Sequence, residues 1–74
     1  MRFDMKITVN GLLKVFQNSS TPLSLSEVIK DLGHNPKLIV VEFNGIILPQ
    51  QDWDNQAVKD GDNLEIVTIV GGGA

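Results

Sequence analysis

The side chains of this 74-residue chain offer few of the groups that enzymes use as nucleophiles, general bases or metal ligands. Cysteine is absent, and His34 is the only histidine. The serines lack the Gly-x-Ser-x-Gly setting of a hydrolase nucleophile, and a histidine with no positioned partner does not form a catalytic triad. No glycine-rich loop opens a helix, so no phosphate-binding loop is indicated. The sequence therefore predicts a domain that is not itself an enzyme and holds no metal.

Two short acidic segments are candidate sites for a cation or for acid and base catalysis. Asp60-Gly61-Asp62 has the form of a tight turn, and its two carboxylates are too few for a calcium site without further ligands. Asp52 and Asp54 flank Trp53, but paired carboxylates do acid and base work only in a shared cleft, which a domain of this size rarely provides. We interpret the first segment as a turn and Trp53 as a packing residue. His34 follows a predicted helix end, where a cation is mildly favourable.

The C-terminal segment Gly71-Gly72-Gly73-Ala74 is the strongest candidate for a working part. Glycines weaken a strand and add nothing to a core, so we expect a domain over residues 1–70 and a flexible tail over 71–74. A peptide without Cβ atoms can enter a narrow channel, and the tail would carry the terminal carboxylate about 13 Å beyond the sheet. A frayed end without function is the alternative interpretation.

Charge and composition exclude several classes of partner. The net charge is −3, and the six basic residues are scattered singly, which gives no stripe for a nucleic-acid backbone. No apolar run approaches the roughly 20 residues that span a bilayer, and no signal peptide is evident. We therefore expect a cytoplasmic protein with no nucleic-acid and no membrane partner.

Local patterns predict two β-hairpins and one helix. The dipeptides Asn10-Gly11 and Asn44-Gly45 each separate two β-type runs, which is a strong hairpin signal. Between the hairpins, Ser24 to Glu27 has the form of a capping box. The apolar stripe of one amphipathic helix follows: Leu25, Val28, Ile29 and Leu32. Gly33 then ends that helix.

A long strand is predicted over residues 63–70, after an irregular segment over residues 50–58 that contains a turn of 3₁₀ helix. The order ββ-α-ββ-β requires the helix to cross one face of a single mixed sheet. A right-handed crossover places the last strand beside the first, parallel to it and at the centre. The predicted fold class is α+β, a ubiquitin-like β-grasp of four to five strands with one main helix packed on one face.

Strand alternation predicts an apolar surface beside the tail. If Leu64 and Ile66 face the helix, then Val67 and Ile69 face outward beside Val40 on the neighbouring strand. An exposed apolar patch next to the tail is typical of a partner-binding surface. Homodimerisation through the same patch is the competing interpretation.

Three segments, residues 5–11, 41–45 and 60–73, together resemble the sulfur carrier family of thiamine biosynthesis. In that family the terminal glycine is adenylated by a ubiquitin-activating-type enzyme and becomes a thiocarboxylate that donates sulfur to a thiazole ring. The resemblance implies that Gly72 and Gly73 are the terminal pair, that Gly71 belongs to the tail and that Gly73 carries the sulfur. It further implies no bound cofactor, ATP used by the partner enzyme, and three partners: an adenylyltransferase, thiazole synthase and a sulfur donor protein.

Ala74 departs from the family pattern, because a chain ending in alanine cannot present a glycyl thiocarboxylate unless that residue is removed. Two alternatives stay open. The sulfur carrier of molybdopterin synthesis shares the fold and the Gly-Gly end, but usually has an apolar-proline approach to the tail, where this chain has Ile66 to Val70. The second alternative is a β-grasp interaction module that performs no chemistry.

Overall fold

A computed structural model describes residues 4–17 and 22–69. In chain order the elements are β1 Asp4–Val9, β2 Leu12–Gln17, β3 Leu23–Ser24, α1 Leu25–Asp31, a 3₁₀ helix Pro36–Leu38, β4 Ile39–Phe43, β5 Ile46–Leu48, a 3₁₀ helix Gln50–Asn55, β6 Ala57–Val58 and β7 Asn63–Thr68. Five strands form a mixed sheet in the order β2-β1-β7-β4-β5. β7 is parallel to β1 and antiparallel to β4. The predicted α+β class with a central last strand is confirmed.

Both hairpins turn at the predicted Asn-Gly pairs. Asn10 and Gly11 have φ values of 52° and 80°, and Asn44 and Gly45 have 51° and 86°. Positive φ at both central residues defines the tight turns that match the twist of the flanking strands, and asparagine and glycine tolerate this backbone best. The two hairpins are therefore set by local sequence.

The helix α1 begins at the predicted capping box. Ser24 accepts a hydrogen bond from the backbone N–H of Glu27, and the Glu27 carboxylate accepts one from the backbone N–H of Ser24. The bond from the Ser24 backbone, with a smaller contribution from its hydroxyl, holds the pKa of Glu27 below its usual value. This contribution to stability is present at neutral pH and is lost as the pH falls through the lowered pKa of Glu27. Gly33, with a φ of 84°, follows the helix as predicted.

The hydrophobic core lies between α1 and one face of the sheet. Its members are Met5, Ile7, Val9, Phe16, Leu25, Val28, Ile29, Ile39, Val41, Trp53, Val58, Leu64 and Ile66. Alternate residues of β1, β4 and β7 supply about half of this list, as expected for a sheet with one buried face. No helix within residues 4–17 and 22–69 is long and apolar enough to cross a membrane.

A second, two-stranded sheet was not predicted. β3 pairs antiparallel with β6, with Leu23 opposite Val58. Leu23 is not predicted to lie in a strand, because a strand of two residues has no readable alternation. Just before β6, the 3₁₀ helix buries Trp53, which is 3% exposed and donates its indole N–H to the Leu48 carbonyl at 2.9 Å. The packing interpretation of Trp53 is confirmed.

Candidate functional site

The central strand β7 leads directly into the C-terminal segment. The described residues end at Ile69, so the predicted tail, with Gly71, Gly72 and Gly73, lies outside them. The structure describes β7, the strand that precedes the tail, and the residues that hold it. The candidate site therefore consists of β7, its hydrogen-bonded neighbours and the sheet face that turns away from α1.

On the β4 side, β7 is paired to its end. Val67 lies opposite Val40, and Thr68 lies opposite Ile39. The backbone N–H of Ile69 donates to the Leu38 carbonyl at 2.6 Å, one residue beyond the strand. The last described residue, Ile69, is therefore fixed relative to β4.

On the β1 side, the asparagine of the first turn takes the place of a strand. β1 turns away at Asn10, whose backbone N–H donates to the Leu64 carbonyl at 2.9 Å. The Asn10 side chain then continues the ladder, because Oδ1 accepts from the Ile66 N–H at 2.6 Å and Nδ2 donates to the Ile66 carbonyl at 3.1 Å. An amide side chain offers both a donor and an acceptor, as a peptide group does. Asn10 thus extends the support of β7 by two residues toward the tail.

The asparagine of the second turn holds the other end of β7. Asn44 accepts from the Asn63 N–H at 2.8 Å and donates to Asp62 at 3.0 Å. Asp62 also accepts from the Lys59 N–H at 2.7 Å, and Asp60 accepts from the Lys6 N–H at 2.7 Å. Both carboxylates therefore serve the turn and its neighbours, which confirms the turn interpretation. Within the described ranges no cluster of three or more potential metal ligands occurs.

The predicted orientation of the apolar patch is confirmed. Leu64 and Ile66 are buried, whereas Val67 is 59% and Ile69 is 48% exposed on the opposite face. Val40 is half-buried directly beside Val67. We call Val40, Val67 and Ile69 the open-face patch. Its role in partner binding stays a prediction.

Two carboxylates border the open-face patch. Glu42 lies opposite Glu65 on the neighbouring strand, and this pair is two residues along each strand from the Val40 and Val67 pair. Like charges directly opposite each other on a sheet are destabilising. A partner that covered the patch and carried a basic side chain at this border would relieve that repulsion.

The remaining candidate residues lie beside α1, and the structure does not bring them together as a catalytic set. Ser26, His34, Trp53 and Asp54 are among the residues that line a cavity of about 420 Å³ beside α1. The Ser26 hydroxyl bonds to the Asp54 carboxylate, rather than to His34 as a nucleophile bonds to its base. Asp52 does not line this cavity, so the two carboxylates that flank Trp53 do not share a cleft.

The support given by Asn10 can be tested with a glycine. Asn10→Gly keeps the positive φ without strain and removes both side-chain bonds to Ile66. We expect the free energy of unfolding to fall by about 1–2 kcal/mol, because two part-buried hydrogen bonds are lost. We also expect hydrogen exchange of the Ile66 amide to accelerate. Asn44→Gly is the matched control, which should affect Asn63 and leave Ile66 protected. Unchanged protection of Ile66 in Asn10→Gly would contradict this account.

Sequence comparison identifies the family. A sequence model of the ThiS family matches residues 6–73, which is most of the chain. The chain belongs to the ThiS family. Solved structures agree with this assignment. The crystal structure of the thiamine biosynthesis protein ThiS from Geobacter metallireducens superposes with a TM-score of 0.78 at 33% identity, covering 93% of this chain and 100% of that one.

Relatives of this ThiS-family chain occur both as small proteins and within a longer one. The uncharacterized protein ycf40 of Porphyra purpurea is 41% identical over 70 residues, which is 95% of this chain and 94% of that protein. A thiazole synthase of Paramagnetospirillum magneticum is 36% identical over 70 residues, again 95% of this chain but only 21% of the enzyme. The same small domain is thus found inside an enzyme chain several times its length.

Proposed function

We propose that this ThiS-family chain is a sulfur carrier that supplies sulfur for thiazole formation in thiamine biosynthesis. The observation that carries the proposal is the match to about a fifth of a thiazole synthase. A carrier that must deliver sulfur to an enzyme benefits from a covalent link to it, because the delivery becomes intramolecular at a high effective concentration. We propose that this chain delivers its sulfur to a thiazole synthase.

The carrier chemistry is proposed at the main-chain carboxylate that Gly73 gains when Ala74 is removed. That carboxylate attacks ATP bound by an adenylyltransferase of the ubiquitin-activating type, forming an acyl adenylate and releasing pyrophosphate. Hydrosulfide released by a sulfur donor protein then attacks the acyl carbon. The new C–S bond forms while the C–O bond to AMP breaks, AMP leaves with the bonding electrons, the sulfur proton passes to solvent, and a thiocarboxylate remains with no change of oxidation state. A carboxylate is a poor acyl donor until it gains such a leaving group, and covalent carriage divides the transfer into easier steps.

The hydrogen bonds that hold β7 support this role. A donor group must reach a catalytic centre on another protein in a defined direction, and loose positioning by about 1 Å is costly in rate. β7 is held by β4 up to Ile69 and by the side chain of Asn10 at Ile66. No cysteine is required, since the sulfur is bound to a main-chain carbonyl carbon. ATP belongs to the partner, and the chain is a cosubstrate.

The open-face patch is the proposed docking surface for the adenylyltransferase and for thiazole synthase. It spans β4 and the end of β7, the last strand before the tail, and Val67 and Ile69 are its exposed members. Apolar side chains that are buried on association supply most of the affinity at such interfaces, with a polar rim around them. Glu42 and Glu65 would form part of that rim.

Intact mass measures the proposed chemistry directly. A chain ending at Gly73 is incubated with ATP, the adenylyltransferase and a sulfur donor, and is expected to exchange one oxygen for one sulfur. The chain ending at Ala74 is the matched control and should remain unmodified unless Ala74 is first removed. No exchange in the Gly73-ended chain would overturn the proposal in favour of an interaction module. Transfer from the thiocarboxylate to molybdopterin synthase, and not to thiazole synthase, would instead indicate the other carrier pathway.

A further inference from the structure

The outer strand β2 has an edge to which no described residue is paired. On β1, Thr8 and Asn10 donate their backbone N–H groups toward β7. Successive residues of a strand direct these groups to opposite sides, so the alternate residues of β1 bond to β2. The register places Ile7 opposite Lys14. The outward-pointing backbone groups of β2 therefore belong to Leu13, Val15 and Gln17.

Of the usual features that prevent strands from pairing between molecules, this edge has only one charged side chain, that of Lys14. Proteins shorten, bulge or charge an outer strand, or place proline in it. At the opposite edge, β5 has only three residues and is followed by Pro49. β2 has six residues, pairs with β1 without a bulge and contains no proline. Its apolar residues Leu12, Leu13 and Val15 are 64%, 63% and 53% exposed.

A groove of about 810 Å³ follows this edge, between β2 and α1. Its apolar lining includes Phe16, Leu23 and Leu32, and its charged lining consists of Lys14, Lys30, Glu27 and Asp31. Two cations and two carboxylates give the groove no net charge. A ligand carrying one sign of charge would be repelled by half of these groups, so the groove best fits a surface that presents both signs.

We propose that β2 pairs antiparallel with β2 of a second copy of this chain, with Val15 opposite Val15. The second copy brings the same outward-pointing backbone groups and the same balanced charges. Placing Leu13 opposite Val15 would set the two copies of Lys14 against each other, which is unfavourable. With Val15 at the centre, Lys14 instead lies beside Phe16 of the second copy, and Leu13 lies opposite Gln17.

This register gives favourable side-chain contacts on both faces of the joined sheet. On the open face, Leu13 and Val15 of the two copies form one apolar cluster. On the other face, Lys14 of each copy lies at the other copy's groove, whose opposite wall carries Glu27 and Asp31. β2 is two strands away from β7 in the sheet order, so the dimer leaves the open-face patch uncovered. The inference does not depend on the proposed sulfur chemistry.

Sedimentation equilibrium tests the dimer. An interface of one strand pair is small, so we expect the mass of a single chain at about 20 µM and a rise toward twice that mass at about 1 mM. Val15→Lys should remain a single chain at both concentrations. Ile47→Lys, at a 62% exposed position on β5, is the matched control and should dimerise as the unmodified chain does. A single-chain mass at both concentrations, or equal effects of the two variants, would overturn the proposal.

Amide exchange of the unmodified chain provides a test that needs no variant to fold. The amides of Leu13 and Val15 point outward, so they should exchange quickly at about 20 µM and gain about threefold protection at about 1 mM, where most chains are paired. The amide of Lys14 bonds within the sheet and should be protected at both concentrations. A dimer that forms without added protection at Leu13 and Val15 uses another surface, and that result would also overturn the proposal.

Discussion

Replacing Val67 with aspartate is expected to lower kcat/KM for adenylation of the chain by about 100-fold and leave the fold intact. Val67 is 59% exposed beside Val40, on the strand that leads to the tail. An unpaired carboxylate buried in an apolar contact costs several kcal/mol, and about 2.8 kcal/mol corresponds to 100-fold. The measurement is steady-state pyrophosphate release by the adenylyltransferase with the Gly73-ended chain as the varied substrate.

Ile46→Asp is the matched control for Val67→Asp. Ile46 is 65% exposed, but it lies opposite Phe43 and so belongs to the face of the sheet that packs on α1. The control should react as the unmodified chain does, and both variants should unfold in one cooperative denaturant transition and be folded under the assay conditions. Equal rates for the two variants would show that the open-face patch does not dock the enzyme. That outcome leaves the thiocarboxylate chemistry itself untouched.

Leu64→Ala is expected to cost about 3–4 kcal/mol of unfolding free energy, the usual range for a leucine removed from a packed core. Leu64 is fully buried on β7, between β1 and β4. A domain of this size has a total stability of about 5–10 kcal/mol, so the variant should lose about a third to four fifths of it. Urea titration, followed by fluorescence of the single tryptophan, measures the change.

Val67→Ala on the same strand is the control for Leu64→Ala. Its side chain is exposed, and exposed substitutions usually change stability by less than about 0.5 kcal/mol. The contrast tests the alternation of β7, in which one face builds the core and the other is left for a partner. A loss of similar size in the two variants would mean that both faces of β7 are packed.

Local signals in the sequence were sufficient for most elements of the fold. The Asn-Gly pairs set both hairpins because few other residues adopt two successive positive φ values. The capping box, the apolar stripe and Gly33 set α1 in the same local way. Strand alternation predicted the exposed faces of Val67 and Ile69, and the order of elements predicted a central, parallel last strand. Each of these depends on neighbours within a few residues or on chain connectivity.

The tertiary structure decided what depends on contacts between distant residues. The pairing of Leu23 with Val58 could not be read from two-residue strands. Asn10 and Asn44 were identified only as turn formers, although their side chains bond to β7 at Ile66 and Asn63. A turn requires only a backbone conformation, whereas the partner of a side-chain amide depends on which strand lies beside it. The sequence therefore determined the two hairpins, α1 and the central position of the last strand, and only the assembled sheet determined how that strand is held at both ends.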